Sequence, residues 1–150
     1  MNNFIKTAFV FFVLNAYAAE DDRVQKIKIG TINIIRGSHI FVYNSGEKRM
    51  VTDKSLPYTL YSGDEVQTLA SSDCEAALES TSSLYLGPET LLSIDKKAAP
   101  QEALFLKYGM VMFKGLNPVD FRMSDIFVNT NGGDFLARYK KNVLDRKSVV

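Results

Sequence analysis

The side chains that could carry catalysis are few in this chain of 150 residues, and they are scattered. His39 is the single histidine, and it follows the segment RGS at the start of an expected strand. A serine nucleophile needs a histidine to shuttle its proton, and the Gly-x-Ser-x-Gly turn of many hydrolases does not occur in the sequence. We therefore interpret His39 as a structural residue, at the surface or half-buried.

Paired carboxylates are the remaining catalytic option, because glycoside cleavage needs only two acids flanking the sugar. Asp64 and Glu65 are adjacent, so on a strand their side chains point to opposite faces. Asp53 and Asp73 could be brought together by the fold, but nothing in the sequence selects them. A hydrolase is therefore the weakest interpretation, and we predict a non-enzymatic protein with no catalytic residues and no cofactor.

Metal ligands are equally sparse, since one histidine and one cysteine cannot close a tetrahedral zinc site. Asn129, Asn131 and Asp134 lie in the glycine-rich segment NTNGGD, and oxygen ligands on alternate residues suit calcium. Only one of the three is charged, so an ordinary turn is the preferred interpretation. No metal site is predicted.

Cys74 is the only cysteine, so no disulfide can form within the chain. Its neighbours Asp73 and Glu75 disfavour the thiolate, which is the reactive form. We expect an inert thiol, buried or in a loop, although pairing with another chain stays open.

The N-terminus has the features of a secretory signal peptide over residues 1–18. Lys6 precedes an apolar run at 8–14, and Ala16-Tyr17-Ala18 has the small-x-small pattern of a cleavage site. The run is too short for a membrane span, which needs about 20 apolar residues. We expect an exported protein that is not integral to the membrane after cleavage, although the sequence does not establish that cleavage occurs.

Cleavage would remove only Lys6 of the 18 basic residues, so 17 basic and 17 acidic side chains would balance. A neutral chain has no electrostatic attraction to nucleic acid, and none is expected as a partner.

Short apolar runs separated by Gly, Asn, Ser and Pro indicate an all-β fold. Ile27 alternates with Ile29, and Ile32 then alternates with Ile34 in the opposite register, with a bulge expected at Gly30-Thr31. A strand is expected at 40–43 before the turn NSG, then a loop at DKSLP, and two strands marked by Leu84 with Leu86 and Leu92 with Ile94, separated by Gly87-Pro88. The remaining segments are a polar connector at 95–102, one apolar run at 121–128, the turn NTNGGD, and a terminal strand or hairpin with a basic rim at 136–150.

The segment ALFLKYGMVMFKG is predicted to form central strands, because both of its faces are apolar. Strict alternation places Leu104, Leu106, Met110 and Met112 on one face. We interpret the two methionines as core rather than as ligands of a soft metal.

The order of these features resembles the FecR domain, an extracytoplasmic module of regulators of ferric-citrate uptake, over residues 30–135. The resemblance begins at GTINIIRG, and LYSGDEVQT then matches the Gly-Asp-x-Val-x-Thr motif of the family at Gly63, Asp64, Val66 and Thr68. We interpret Asp64 as a turn residue that accepts hydrogen bonds from following amides, with Val66 pointing inward.

Two further segments, SSLYLGPETLLSID and LKYGMVMF, match the later strands of the family, the second with Gly109 in place. The C-terminal part departs from the family pattern. Ser124-Asp125 replaces the usual Thr-Pro, and only the end of the Val-Arg-Gly-Thr motif is kept, at residues 133–135.

The resemblance implies a compact domain of short strands, either a small β-solenoid or a two-sheet β-sandwich, in the periplasm or outside a Gram-negative-type cell. Family regulators relay a signal from an outer-membrane transporter to a cytoplasmic segment that controls a sigma factor. Residues 1–18 are expected to be a signal peptide and 19–29 a lead-in strand, which leaves no expected cytoplasmic part. The family supplies no catalytic residues.

Two kinds of partner follow from these expectations. The first is a protein or other envelope component, bound through strand edges and loops, with a possible role in signal relay. The alternative is peptidoglycan or another glycan, stacked on exposed rings among Tyr43, Tyr58, Tyr61 and Tyr85. The sequence assigns no residue to the binding surface and leaves the oligomeric state open.

Overall fold

The computed structural model describes residues 26–96 and 102–140. The predicted signal peptide, most of the lead-in at 19–29, residues 97–101 of the connector and residues 141–150 of the terminal segment lie outside this part. The described residues form twelve strands and one short 3-10 helix at Asp53–Ser55. The strands are β1 (Lys28–Arg36), β2 (Ile40–Asn44), β3 (Glu47–Val51), β4 (Tyr58–Tyr61), β5 (Glu65–Gln67), β6 (Asp73–Leu78), β7 (Ser83–Leu86), β8 (Leu91–Lys96), β9 (Glu102–Lys114), β10 (Val119–Met123), β11 (Ile126–Thr130) and β12 (Phe135–Tyr139).

The twelve strands belong to one continuous sheet, in the order β3-β2-β5-β8-β9-β7-β6-β1-β4, with β10, β11 and β12 attached at β9. All pairings are antiparallel except that of β9 with β10. The two ends of the order, β3 and β4, approach each other: Glu47 and Arg49 of β3 line the same small cavity as Tyr58 and Tyr61 of β4. The sheet is therefore nearly closed, like a barrel, and the all-β prediction is confirmed.

A single hydrophobic core lies inside this sheet. It contains side chains from both halves of the sheet, the half that runs from β3 to β8 and the half that runs from β7 to β4. Its largest fully buried side chains are Phe113, Ile29, Ile32, Ile40, Leu60, Leu84, Leu86, Leu92, Ile94, Leu104, Leu106 and Val51. Leu84 with Leu86 and Leu92 with Ile94 are buried as predicted, on the two strands separated by Gly87-Pro88. Alternation is informative there because one face of each strand lies against the core.

Strand β9 joins the two halves of the sheet. Its first part, to residue 108, pairs with β8 and β10, and its second part pairs with β7 and β12. The register with β8 shifts between Leu91 and Leu92, and Gly109 has a φ of 102°. A Cβ at Gly109 would lie 2.4 Å from the Thr90 Cα, so only glycine fits at this bend.

The bend at Gly109 reverses the faces of β9. Leu104 and Leu106 are buried before it, and Val111 and Phe113 after it. Met110 and Met112 are only half-buried, on the outer face. The prediction that these methionines share the core face of Leu104 is therefore wrong, because strict alternation does not hold across a bulge.

Strand β1 also departs from the predicted pattern. Ile29 and Ile32 are buried, so the predicted change of face between them is confirmed. A second register shift, against β6, falls between Ile32 and Ile34. Ile35 consequently points inward while Ile34 is exposed, so the prediction that Ile34 continues the register of Ile32 is wrong. Ile27, which precedes β1, is also exposed.

The segment predicted as one apolar run at 121–128 is a hairpin. Strands β10 and β11 pair antiparallel around the two-residue loop Ser124-Asp125, in which Ser124 has a φ of 53°. The predicted turns NSG and NTNGGD are present between β2 and β3 and between β11 and β12. Of the predicted terminal hairpin, the first strand is β12, which pairs with β9.

Candidate interaction surface

The Gly-Asp-x-Val-x-Thr segment is a structural element that ties three strands together. The buried Asp64 accepts hydrogen bonds from the Tyr61 N–H, at 2.8 Å, and from the Asn44 side-chain amide. Val66 points into the core as predicted. The amide bonded to Asp64 precedes it, where following amides were expected, because the turn folds back onto the end of β4.

Thr68 completes this element. It is buried, its hydroxyl donates to the Gly87 carbonyl at 2.6 Å, and the hydroxyl oxygen accepts from the Thr90 N–H at 2.9 Å. A single hydroxyl thereby satisfies a carbonyl and an amide at the break between β7 and β8, where the regular ladder is interrupted. Asp64, Val66 and Thr68 of the motif therefore have structural roles in packing and hydrogen bonding.

The residues considered for acid–base chemistry lie in different elements of the structure. His39 is half-buried, and its ring makes an edge contact with Phe41, with 5.1 Å between the centroids. Asp73 forms an ion pair with Arg36 at 2.6 Å, and Glu75 binds the same guanidinium. Asp53 lies in the 3-10 helix.

Cys74 is fully buried in β6. The pKa of the Cys74 thiol is raised from 9.0 to about 12, mainly by burial and also by the negative charges of Asp73 and Glu75, while Arg36 acts in the opposite direction. The thiol is therefore protonated at physiological pH, as expected of an inert cysteine.

The segment NTNGGD folds as a turn whose glycines have φ of 102° (Gly132) and 114° (Gly133). The Gly133 N–H donates to the Gly115 carbonyl at 2.6 Å, and the Asn129 amide donates to an Asp120 carboxylate oxygen at 3.0 Å. Within residues 26–96 and 102–140, no group of three or more His, Cys, Asp or Glu side chains is arranged to hold a metal ion.

The four tyrosines considered for glycan stacking do not form one platform. Tyr43 donates its hydroxyl proton to Gln67 at 2.6 Å, and Gln67 in turn donates to the Tyr108 hydroxyl at 2.9 Å. Tyr58 and Tyr61 line the small cavity at the closure of the sheet. Tyr85 lies apart from both, in a groove on β7.

The most prominent exposed apolar surface is the hairpin formed by β10 and β11. Its outer strand, β11, begins with three apolar residues whose exposed fractions are 55% for Ile126, 73% for Phe127 and 43% for Val128. Register shows why one strand presents apolar groups on both faces. Ile126 and Val128 lie opposite Met123 and Phe121 and extend the core-facing surface past its edge, whereas Phe127 lies opposite Arg122 on the outer face.

An aromatic–arginine row crosses the outer face of this region. Arg122 of β10 pairs with Phe105 of β9 on one side and with Phe127 of β11 on the other. Its guanidinium lies 4.9 Å from both ring centroids, a cation–π distance. Together with Asp120 and Asn129, the rings line an open cavity of about 470 Å³.

Strand β11 is also an edge, since among the described residues it pairs only with β10. Two of the other edge strands carry charges, which discourage pairing: β3 contains Glu47, Lys48 and Arg49, and β12 contains Arg138. The remaining edge strand, β4, has no charge but lies beside β3 where the sheet nearly closes. Strand β11, with the sequence IFVNT, has none. We define the β11 edge as residues 126–130 with their outward-facing backbone.

Sequence reasoning missed this surface because it assigned 121–128 to a single run. The signal that marks the hairpin is Ser124-Asp125, a polar pair in the middle of that run that also departs from the FecR pattern.

Comparison of the chain with models of protein families, with curated proteins and with solved structures gave no match. The FecR resemblance therefore stays a prediction. No helix in the described part of the chain is long and apolar enough to cross a membrane.

Proposed function

We propose that the chain is a non-enzymatic, exported module of the FecR type that binds a protein partner in the cell envelope through the β11 edge. The observation that supports this most strongly is the strand β11, which has no charge and three exposed apolar side chains, and whose outer side pairs with no strand among residues 26–96 and 102–140. Edges of this kind associate with other strands unless they are covered or charged.

Strand addition explains how such a surface binds. An extended segment that joins an open edge gains main-chain hydrogen bonds, and its alternate side chains meet those of the receiving strand. At the β11 edge the incoming side chains would meet Phe127 on one face and Ile126 and Val128 on the other. The partner is therefore a strand with apolar side chains on both faces, and signal relay would follow if its binding is regulated.

The test is photocrosslinking in the intact envelope. A photoreactive phenylalanine analogue at position 127 should give a discrete crosslinked product, and the same analogue at Met50, which is 61% exposed on the charged edge strand β3, should not. Phe127→Asp should abolish capture of the same product in a pull-down, and Met50→Asp should not. Capture that is absent, or equal in the two variants, contradicts the proposal.

The exported location is a separate part of this proposal and has its own measurement. The mass of the protein recovered from the periplasm or the medium should correspond to loss of residues 1–18. Recovery of the full-length chain from the cytoplasm alone would refute export without bearing on the β11 edge.

Glycan binding is the alternative function. The cavity beside β11 is a better candidate site for a glycan than the four tyrosines, which are dispersed. Its lining combines Phe105 and Phe127 with polar groups of Asp95, Asp120 and Asn129, and rings beside polar side chains suit a sugar. The wild-type protein should then sediment with insoluble peptidoglycan, and the Phe105→Ala variant should stay in the supernatant. Absence of co-sedimentation removes this alternative.

A further inference from the structure

The loop between β10 and β11 determines which backbone groups of β11 face the open edge. Met123 and Ile126 flank a two-residue turn, so they form the hydrogen-bonded pair that closes it. Hydrogen-bonded and non-hydrogen-bonded pairs alternate along an antiparallel ladder. Phe121 with Val128 is therefore hydrogen-bonded, Arg122 with Phe127 is not, and the N–H and C=O groups of Phe127 and Asn129 point outward.

A second β11 edge has the same outward groups, so two copies can pair antiparallel with odd-numbered residues opposite odd-numbered ones. Three registers keep the apolar residues in the pairing. A centre at Ile126 places Phe127 opposite Asp125 of the second copy, and a centre at Val128 places Phe127 opposite Asn129. A centre at Phe127 places Phe127 opposite itself and Ile126 opposite Val128, twice.

Only the register centred on Phe127 pairs every apolar residue of the β11 edge with another apolar residue. Cross-strand apolar pairs stabilise a sheet, whereas a ring opposite a carboxylate or an amide does not. This register also places Asp125 opposite Asn129 rather than opposite a second carboxylate, so no like charges face each other.

The outer face is compatible with this arrangement. The row of Phe105, Arg122 and Phe127 would continue into the same row of the second copy, in reverse order. The two Arg122 positions would be three strand spacings apart, about 14 Å. That separation exceeds the screening length of about 10 Å at 0.1 M salt, so their repulsion is small.

We infer that the β11 edge pairs with the β11 edge of a second copy of the chain, about a two-fold axis at Phe127. The inference rests on the proposed function, because it names the partner of the same edge. Pairing of identical edges closes on itself and leaves no further β11 edge for growth into a fibre. The interface is at the small end of the range for specific contacts, so we expect a concentration-dependent dimer at micromolar concentrations or above.

Disulfide trapping tests the register in the purified protein, in the form in which the cell exports it. An Ile126→Cys chain mixed with a Val128→Cys chain should form a disulfide-linked dimer under mild oxidation, because the two positions are directly opposite, with Cα atoms about 4.5 Å apart. Each variant alone should react poorly, since its own copies are diagonal neighbours about 7–8 Å apart, beyond the span of a disulfide. The wild-type protein, whose Cys74 is buried, is the control.

Equal crosslinking of Val128→Cys with itself would indicate the register centred on Val128 and overturn the inference. A mass that stays monomeric in sedimentation velocity up to several hundred micromolar, with no preference for the mixed pair, would also overturn it. The proposed function fails separately. If the chain is monomeric but position 127 still crosslinks to another envelope protein, only the inference is wrong, and if position 127 crosslinks to nothing, both are wrong.

Discussion

Replacement of the Thr68 hydroxyl tests whether the Gly-Asp-x-Val-x-Thr segment acts through hydrogen bonding or through packing. Thr68 is buried, and its hydroxyl bonds both the Gly87 carbonyl and the Thr90 N–H. Thr68→Val has nearly the same shape but removes both hydrogen bonds. Thr68→Ser keeps the hydroxyl and removes one methyl group.

We expect the more hydrophobic variant, Thr68→Val, to have the lower free energy of unfolding. Leaving a buried polar group without a partner costs about 1–3 kcal/mol. Thr68→Val strands two such groups and gains little from its extra methyl, so we expect a loss of about 2–4 kcal/mol. Thr68→Ser loses one buried methyl, worth about 1 kcal/mol.

Urea unfolding of both variants measures this difference. With an m-value of about 1.5 kcal/mol/M, a loss of 3 kcal/mol lowers the midpoint by about 2 M, and a loss of 1 kcal/mol lowers it by less than 1 M. If the m-values of the two variants equal that of the wild type, the change in midpoint reflects stability and not the compactness of the native or denatured state. If Thr68→Val is as stable as Thr68→Ser, or more stable, the hydrogen-bonding explanation of this segment is refuted.

Two further predictions concern the bend and the buried thiol. Gly109→Ala should cost about 3 kcal/mol or more in urea unfolding, because strain at positive φ adds to a clash; Gly63→Ala, with φ of 91° and open space around it, should lose only about 1–2 kcal/mol, and equal losses would contradict this account. Burial raises the pKa of Cys74 to about 12, so the unfolded chain ionises first and the free energy of unfolding should fall between pH 9 and 12. Urea midpoints across that range should fall less in Cys74→Ala, and parallel curves would show that Cys74 does not contribute.

The sequence was informative wherever one face of a strand lies on the core. Leu84, Leu86, Leu92 and Ile94 alternate with more exposed neighbours, and their burial follows from that pattern alone. The Gly87-Pro88 break was equally predictable, because proline cannot donate to the ladder. Strand β3 was not, since only its last residue is buried and its remaining side chains carry no periodic signal.

Changes of face depend on the partner strand and were only partly visible. The first switch in β1 has a glycine to mark it, but the second lies between Ile32 and Ile34 and results from the register with β6. The reversal in β9 lies at Gly109, where the backbone must pass close to Thr90. Such contacts join residues distant in sequence, so a local pattern cannot place them.

The β11 edge is the part of the candidate site where stability and binding can be separated by one substitution. Phe127 is 73% exposed, and the Arg122 guanidinium lies 4.9 Å from the centroid of its ring. An exposed cation–π contact is worth about 0.5–1 kcal/mol, so Phe127→Lys should lower the free energy of unfolding by no more than about 1 kcal/mol. By contrast, Phe113→Ala, in the core, should cost about 3–5 kcal/mol.

The same Phe127→Lys change should abolish association at the edge, because a lysine would lie opposite a lysine in the register centred on residue 127 and because lysine on an edge discourages pairing. Urea unfolding at low protein concentration and sedimentation velocity at high concentration measure the two effects independently. A variant that unfolds far more easily than the wild type would mean that Phe127 belongs to the fold. A variant that is stable and still associates would mean that the apolar groups of β11 are not what the edge uses to bind.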